Sequence, residues 1–356
     1  MPGARAIRIG LLPVPRRLLV AALVAALAAG VAFETNTPDS EVSTSATSER
    51  MSRVPGLRAP AAVAPVAEAA ESVESPPVPA PPTAGNAPEP PLATLGTGLD
   101  LAAVPVAADD PVALAEQIRV AEQAIRLPSS TAEELAYYGH LQQVAYRVLT
   151  DRPEWDATVT TALPEELRPV MAANLGAGRE LARPHSKPQT KLPAWKIVEP
   201  LPAAELRALY EEGEATFGVP WEYLAAVNLT ETRMGRIRGL SSAGAQGPMQ
   251  FIPSTWAVYG EGDINDPHDA ILSAARYLAA NGGGSGNLPN ALFRYNPVQW
   301  YVDAVTAYAE QIVADERAFL GYHAWQVYYA TSLGDVLLPV GYESAERRPV
   351  TPADLG

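Results

Sequence analysis

Residues 34 to about 108 are built from Ala, Pro, Ser, Thr and Glu with almost no aromatic residues, and this stretch decides where the chain can fold. A segment of that composition cannot bury enough apolar surface to offset the entropy lost on ordering it. Runs such as Ser75-Pro76-Pro77-Val78-Pro79-Ala80-Pro81-Pro82 favour extended polyproline II. Residues 34–108 are therefore expected to be a disordered or semi-stiff spacer, which confines a packed core to residues from about 109 onward. The chain has 356 residues and 35 prolines, too many for a compact fold of that size, so its 47% hydrophobic content must be concentrated outside the spacer.

Ahead of the spacer stands an export signal. Arg5, Arg8, Arg16 and Arg17 give a positive start, and residues 18–33 are apolar without a charge. That run is slightly short of the ~20 residues of a spanning helix and long for a signal-peptide core. Gly30-Val31-Ala32 is a weak cleavage site. Residues 1–33 are thus expected to be either a cleaved signal peptide or a single N-terminal membrane anchor, and both place the remainder outside the cytoplasm. A formal net charge of −14 leaves no positive field for nucleic acid or an anionic membrane surface, so no nucleic-acid partner is expected. The absence of cysteine excludes disulfides, thiolate nucleophiles, cysteine metal sites and a lipid-modified N-terminal cysteine. Four scattered histidines form no ligand set.

Helical spacing begins at Asp110, a good N-cap followed by Pro111, with Leu114, Ile118, Ala121 and Ile125 on one face. Thr131-Ala132-Glu133-Glu134 reads as a capping box opening a second helix. A third is expected from Pro164 through Leu175, weakened by Pro169 and Gly176. Residues 109–199 are read as a helical arm that packs on, or positions, the block C-terminal to it. From about 200 to 314 the periodicity predicts a helix over Ala203–Phe217 closed by Gly218, a second opened by Pro220, a third capped by Asp266, and a last from about 299 to 313. Beyond lie two β-prone runs, 325–331 and 336–340, separated by Ser332-Leu333-Gly334-Asp335, so a small hairpin is expected within residues 315–342. Residues 343–356 are expected to be a loose tail.

One acid stands out on physical grounds. Glu231 ends the apolar run Trp221-Glu222-Tyr223-Leu224-Ala225-Ala226-Val227-Asn228-Leu229-Thr230-Glu231 and precedes a loop rich in Ser, Gly and Gln. If that loop folds back, Met249, Phe251 and Tyr295 would desolvate the carboxyl and raise its pKa, as a general acid requires. Taken alone, the feature is better explained by a solvated helix-end glutamate paired with Arg233 or Arg236.

The surrounding words change that balance. Asn228-Leu229-Thr230-Glu231-Thr232 is followed by Ser241-Ser242-Ala243-Gly244-Ala245-Gln246-Gly247-Pro248-Met249-Gln250-Phe251-Ile252-Pro253-Ser254-Thr255-Trp256, then by Ala274-Ala275-Arg276-Tyr277-Leu278 and Ala291-Leu292-Phe293-Arg294-Tyr295-Asn296. This ordered series resembles the soluble lytic transglycosylase (SLT) domain over roughly residues 203–314. The resemblance implies a mainly α, lysozyme-like fold, with the helical arm before it and the small C-terminal β-hairpin after it. Arm and hairpin look, more loosely, like those of actinobacterial relatives.

Carried over by position, the resemblance implies Glu231 as the catalytic acid. It implies substrate contacts from Thr232, Ser241, Met249, Gln250, Tyr295 and Asn296. Gly244 and Gly247 would permit a tight turn. Thr232 stands where the family usually has Ser, Pro248 replaces the commoner Leu, and Pro297 follows Asn296 where many members have Ala-Gly. Tyr301-Val302 looks closer to membrane-bound and actinobacterial branches. The implied partner is the glycan strand of peptidoglycan and no cofactor or metal is implied. Arg233, Arg236 and Arg238 are expected to be solvated. Asp263, Asn265 and Asp266 resemble a metal loop only faintly, and Asp266 as a helix cap explains more.

The implied reaction uses a single carboxyl. Glu231 protonates the bond between N-acetylmuramic acid and N-acetylglucosamine and then takes a proton from the C6 hydroxyl, which closes a 1,6-anhydro ring. Two rivals stay open. A muramidase like goose-type lysozyme would need a second acid, for which Asp263 or Asp266 is the nearby candidate. A non-catalytic glycan-binding scaffold would have no need of Glu231.

Overall fold

The computed structural model describes residues 99–183 and 188–355. The export signal, and the spacer apart from its last residues, lie outside them. Among the described residues no helix is long and apolar enough to cross a membrane.

The described chain is mainly helical. The arm consists of α1 (Pro111–Arg126), α2 (Ala132–Thr150), α3 (Asp156–Ala162) and α4 (Arg168–Ala182). Asp110 caps α1 by accepting from the amides of Val112 and Ala113, with Pro111 at the first position. The Thr131–Glu134 capping box opens α2. The short α3 has no counterpart in the periodicity reading, because Asp156–Ala162 is brief and buries a single residue, Val159. The third expected helix forms as a 3-10 turn, Glu165–Leu167, leading into α4. Pro169 is harmless there, because a first-turn residue has no intrahelical partner for an N–H.

Two two-residue strands, β1 (Lys191–Leu192) and β2 (Lys196–Ile197), lead from the arm to α5 (Ala203–Phe217) and α6 (Trp221–Thr232). Gly218 ends α5 in the left-handed conformation at φ 73°. After α6 come β3 (Ile237–Arg238), α7 (Pro253–Tyr259), α8 (Pro267–Ala280), α9 (Leu288–Tyr295), α10 (Gln299–Ala314) and α11 (Arg317–His323). Asp266 caps α8 through the Asp269 amide. The hairpin β4 (Val327–Thr331) and β5 (Gly334–Leu338) comes next, its tight turn being Ser332-Leu333.

Residues 343–356, expected to be loose, are tied into the fold as far as residue 355. β6 (Arg348–Pro349) pairs antiparallel with β1, and a 3-10 turn, Pro352–Leu355, lies beyond it. Asp354 anchors this turn by accepting from the Thr351 amide at 2.8 Å and from Arg348 Nη1 at 3.0 Å. No hydrophobic periodicity signals this segment, because main-chain pairing and side-chain hydrogen bonds of Asp354 and Arg347 order it, with the lone Val350 packed on the core under the hairpin.

The catalytic-looking block does not have a core of its own. The main core joins Leu224 and Val227 of α6 to Tyr301, Val305, Tyr308 and Ile312 of α10, and it takes in Ala177 and Leu181 of α4 together with Phe319 and Tyr322 of α11. α10 is packed between α6 and α4. A buried polar network strengthens the joint. Glu122 of α1, fully buried, is ion-paired with Arg126 and accepts from the Tyr146 hydroxyl of α2 at 2.6 Å. Asn174 of α4 donates to Glu122 at 3.5 Å and accepts from Tyr322 of α11 at 2.7 Å. A smaller core under the hairpin combines Leu192, Trp195, Ile197 and Ile237 with Val327, Tyr329, Val336 and Leu338.

Candidate active site

Glu231 lies in the last turn of α6 and is 1% exposed. Among the described residues its carboxyl has one hydrogen-bond partner, the Tyr301 hydroxyl of α10, which donates to Oε1 at 2.8 Å. Burial pushes the Glu231 pKa up from 4.5 to about 8, and the Tyr301 hydrogen bond opposes that rise. The carboxyl therefore holds its proton at neutral pH.

The helix-end ion pair that the bare sequence favoured is absent. Arg233 donates to the Leu229 carbonyl at 3.0 Å and stands over the Trp325 ring, while Arg236 reaches Glu199 at 3.3 Å and the His323 carbonyl at 3.1 Å. Arg233 and Arg236 are buried rather than solvated.

The loop after α6 does fold back. The chain leaves the helix through Arg233, Met234 and Gly235 at φ 55°, 59° and 83°, a left-handed run that costs non-glycine residues on the order of 1–2 kcal/mol each. Asn228 and Thr232, one turn apart on α6, then grip the loop. Asn228 Nδ2 donates to the Pro248 carbonyl at 2.8 Å, and the Thr232 hydroxyl donates to the same oxygen at 2.6 Å. The Thr232 oxygen also accepts from Asn228 Nδ2 and the Gly235 amide. Its hydrogen-bonding capacity is filled. Thr232 thus clamps the loop to the helix and has nothing left for a substrate.

Ser241 plays a similar local part, its oxygen accepting from the amides of Ala243 and Ala245 at 3.1 and 2.9 Å. Gly247 sits at φ 72°, and a Cβ there would come within 1.8 Å of the Ile264 carbonyl oxygen. Gly244, at φ 76°, has open space around it. Gly244→Ala should accordingly cost only the backbone strain, ~1–2 kcal/mol. Gly247→Ala should cost clearly more and loosen the loop, which denaturant unfolding of the two variants side by side would reveal; equal losses would contradict this packing.

Met249 is fully buried and its side chain belongs to the core, so it lines no groove in this structure. Gln250 is held at φ 50° and donates to the Gly247 carbonyl at 2.9 Å, leaving Oε1 buried without a hydrogen-bond partner among the described residues. Asn296, fully buried, has no hydrogen-bond partner among the described residues for either side-chain amide atom. Such atoms cost ~1–3 kcal/mol each when left unpaired.

The Tyr295 hydroxyl does not bond to the acid. It donates instead to the Met249 carbonyl at 2.5 Å, and its ring stacks on Tyr301 at 6.5 Å between centroids. Tyr295 is a second clamp on the loop, in an aromatic group with Phe251 and Tyr277. The hydroxyl on the acid belongs to Tyr301, a residue to which the sequence pattern assigns no role. Removing it in Tyr301→Phe withdraws a hydrogen bond that favours the carboxylate, so the Glu231 pKa rises further. A hydrogen bond to a charged group is worth ~1.5–3 kcal/mol, about one to two pH units. The alkaline limb of the pH–rate profile should move up by that much; a limb that stays in place would show that Tyr301 does not hold the acid.

Asp263 and Asp266 each accept from a backbone amide of their own segment. Asp263 Oδ1 accepts from the Asn265 amide at 2.9 Å, Asp266 Oδ1 from the Asp269 amide at 3.1 Å, and both residues are at the surface. Asp266, His268 and Asp269 bring ligand atoms within 4.8 Å of one another. Asp266 there is spent on capping α8, Asp269 on holding the Asp263 amide at 2.8 Å, and His268 on Glu212 at 3.3 Å.

Residues 208–311, running from within α5 to within α10, match the family model of the transglycosylase SLT domain. The chain carries an SLT domain. This is a domain of a lytic-transglycosylase-type family that acts on peptidoglycan, and its lysozyme-like character agrees with the helical architecture around Glu231. Comparisons with curated proteins and with solved structures give no match. The SLT domain's matched limits fall inside a larger packed unit, since α4 and α11 lie outside them and contribute to its core.

Proposed function

We propose that this protein is a peptidoglycan lytic transglycosylase that cleaves the β-1,4 bond between N-acetylmuramic acid and N-acetylglucosamine without water. The observation that carries the reading is Glu231, an isolated, buried carboxyl with a pKa pushed up to about 8 at the heart of an SLT domain. A carboxyl of that kind is a proton donor at neutral pH.

In this mechanism the Glu231 proton passes to the glycosidic oxygen as the bond from C1 to that oxygen breaks, and the N-acetylglucosamine side leaves with a new hydroxyl. The acetamido oxygen of the muramic sugar stabilises the positive charge at C1. Glu231, now a carboxylate that Tyr301 supports by its hydrogen bond, accepts the proton of the C6 hydroxyl. The C6 oxygen bonds to C1 and closes the anhydro ring. The nucleophile is tethered to the sugar it attacks, so little entropy is lost in bringing the two together. A second carboxylate, which ordinary glycosidases need, has no part in it, and the local roles of Asp263 and Asp266 agree with that.

The unpaired amide atoms of Gln250 and Asn296 are the groups we assign to sugar recognition. With Glu231 1% exposed, a glycosidic oxygen reaches it only once neighbouring side chains move aside. The residues before the described region, read as export signal and spacer, would place this activity at the cell wall. Release of soluble fragments from purified peptidoglycan tests the reading: wild-type protein should release them and Glu231→Gln should not. Equal release by both would remove Glu231 from the reaction.

A further inference from the structure

Arg233 stands where a helix commonly stops at glycine. It follows the last residue of α6 at φ 55°, in the left-handed conformation that glycine adopts without cost and other residues do not. As a helix stop alone, glycine would serve better, and strain of this kind is kept where a side chain has a task. The Arg233 side chain is more than nine-tenths buried, and burial lowers its pKa only to about 10, so it stays cationic at neutral pH. Nη1 donates to the Leu229 carbonyl at 3.0 Å, the oxygen that also accepts from the Arg233 amide at 3.1 Å. Glu231 lies between these two residues, in the turn that Arg233 ties off. The guanidinium carbon is 5.7 Å from the centre of the Trp325 ring, within the range of a cation–π attraction. Trp325 is itself fixed. Its indole N–H donates to Gln142 of α2 at 2.9 Å, and Tyr308 and Tyr322 meet its ring in T-shaped contacts. Gln142 and Trp325 both lie outside residues 208–311, the extent of the SLT match.

We propose that Arg233 is a positioning residue for Glu231: held between the Leu229 carbonyl and the Trp325 ring, it fixes the last turn of α6 and keeps the carboxyl desolvated against Tyr301. The arm and the segment after α11 thereby reach the acid through one side chain. The consequence for turnover rests on the reading of Glu231 as the catalytic acid, whereas the consequence for its titration does not. With the guanidinium gone, the turn loosens and water reaches the carboxyl. Burial is the larger influence on Glu231 and the Tyr301 hydrogen bond the smaller, so the pKa falls back toward 4.5. That is the direction opposite to the one expected for Tyr301→Phe. An Arg233 that merely stopped the helix would leave the titration where it is.

Arg233→Gly in the full chain separates the guanidinium from the backbone, because glycine takes the same φ without strain. The place of the side chain opens onto a cleft of about 240 Å³, lined also by Tyr308 and Trp325 but not by Glu231, so a small cation has a way in from solution. Carbon-13 NMR of the glutamate carboxyls reads the titration, with the Glu231 signal identified by its loss in Glu231→Gln. The wild-type signal is expected to titrate near 8, and that of Arg233→Gly about one pH unit lower or more. Added methylguanidinium, far below denaturing concentration, should move it back up, and methylammonium should not. Turnover of soluble glycan strands at saturation should fall by up to roughly a hundredfold, with KM little changed, and should recover with methylguanidinium. An unchanged titration in Arg233→Gly would overturn the proposal. So would a shift that methylguanidinium leaves in place, because the effect would then belong to the backbone. If Arg233→Gly does not fold, Arg233→Lys takes its place: lysine keeps a cation without the planar fork, and an unshifted titration there would equally overturn the proposal. A titration that shifts and is rescued, in a protein whose wild type cleaves nothing, would uphold the role of Arg233 and count against the functional reading alone.

Discussion

Glu231→Gln is expected to lose at least 10²–10⁴ in rate and at the same time to become the more stable protein at neutral pH. Both effects stem from one buried carboxyl. In the unfolded chain Glu231 ionises near 4.5, and in the fold only near 8. Below 4.5 both states hold the proton and burial carries no pH-dependent penalty. As pH rises between the two values the unfolded chain releases the proton and the fold does not, so wild-type stability falls by about 1.4 kcal/mol per unit. At pH 7 the deficit is roughly 3 kcal/mol. Glutamine has nothing to titrate and escapes it, although its amide introduces donors that the site does not serve. The difference in unfolding free energy between variant and wild type should therefore grow in the variant's favour from pH 4 to pH 8. A difference that stays constant would mean that Glu231 ionises normally in the fold.

Removal of the arm should be as severe. A fragment starting at residue 200 keeps the whole SLT match but strips α4 from α10, uncovering core residues near Tyr308 and Ile312 and leaving the Tyr322 hydroxyl without Asn174. Each large side chain uncovered costs ~1.5–3 kcal/mol, against a total stability of ~5–15 kcal/mol for a typical domain. The fragment is expected to aggregate or to show no cooperative unfolding. A fragment starting at residue 99 should fold and unfold cooperatively, because it retains all of the described core. Cooperative unfolding of the shorter fragment would mean that the arm is an appendage.

Much of this architecture was legible from local chemistry. Asp110, the Thr131–Glu134 box, Gly218 and Asp266 each mark a helix end through a backbone requirement that any fold must meet, and helices start or stop there. The arm's integration was not legible, because Ala177 and Leu181 are ordinary apolar residues whose partners lie far along the chain. At the site, the word pattern located Glu231 and its loop but blurred which side chains bind and which hold the loop in place. Thr232 and Tyr295 sit within the motifs yet hydrogen-bond to backbone carbonyls of the loop. Tyr301 sits inside a mostly apolar helix, where a tyrosine reads as packing until the acid appears 2.8 Å from its hydroxyl. A buried carboxyl needs a donor, and a tyrosine among the aliphatic residues of a neighbouring helix is the signal that could have pointed to it.

The most direct test of the central claim is mass spectrometry of the fragments that the wild-type protein releases from purified peptidoglycan. A single buried acid working through the C6 hydroxyl predicts 1,6-anhydro-muramic ends, each one water lighter than a hydrolysed end, with none released by Glu231→Gln. Reducing ends from the wild type would contradict the account, because they require an activated water and a second catalytic group.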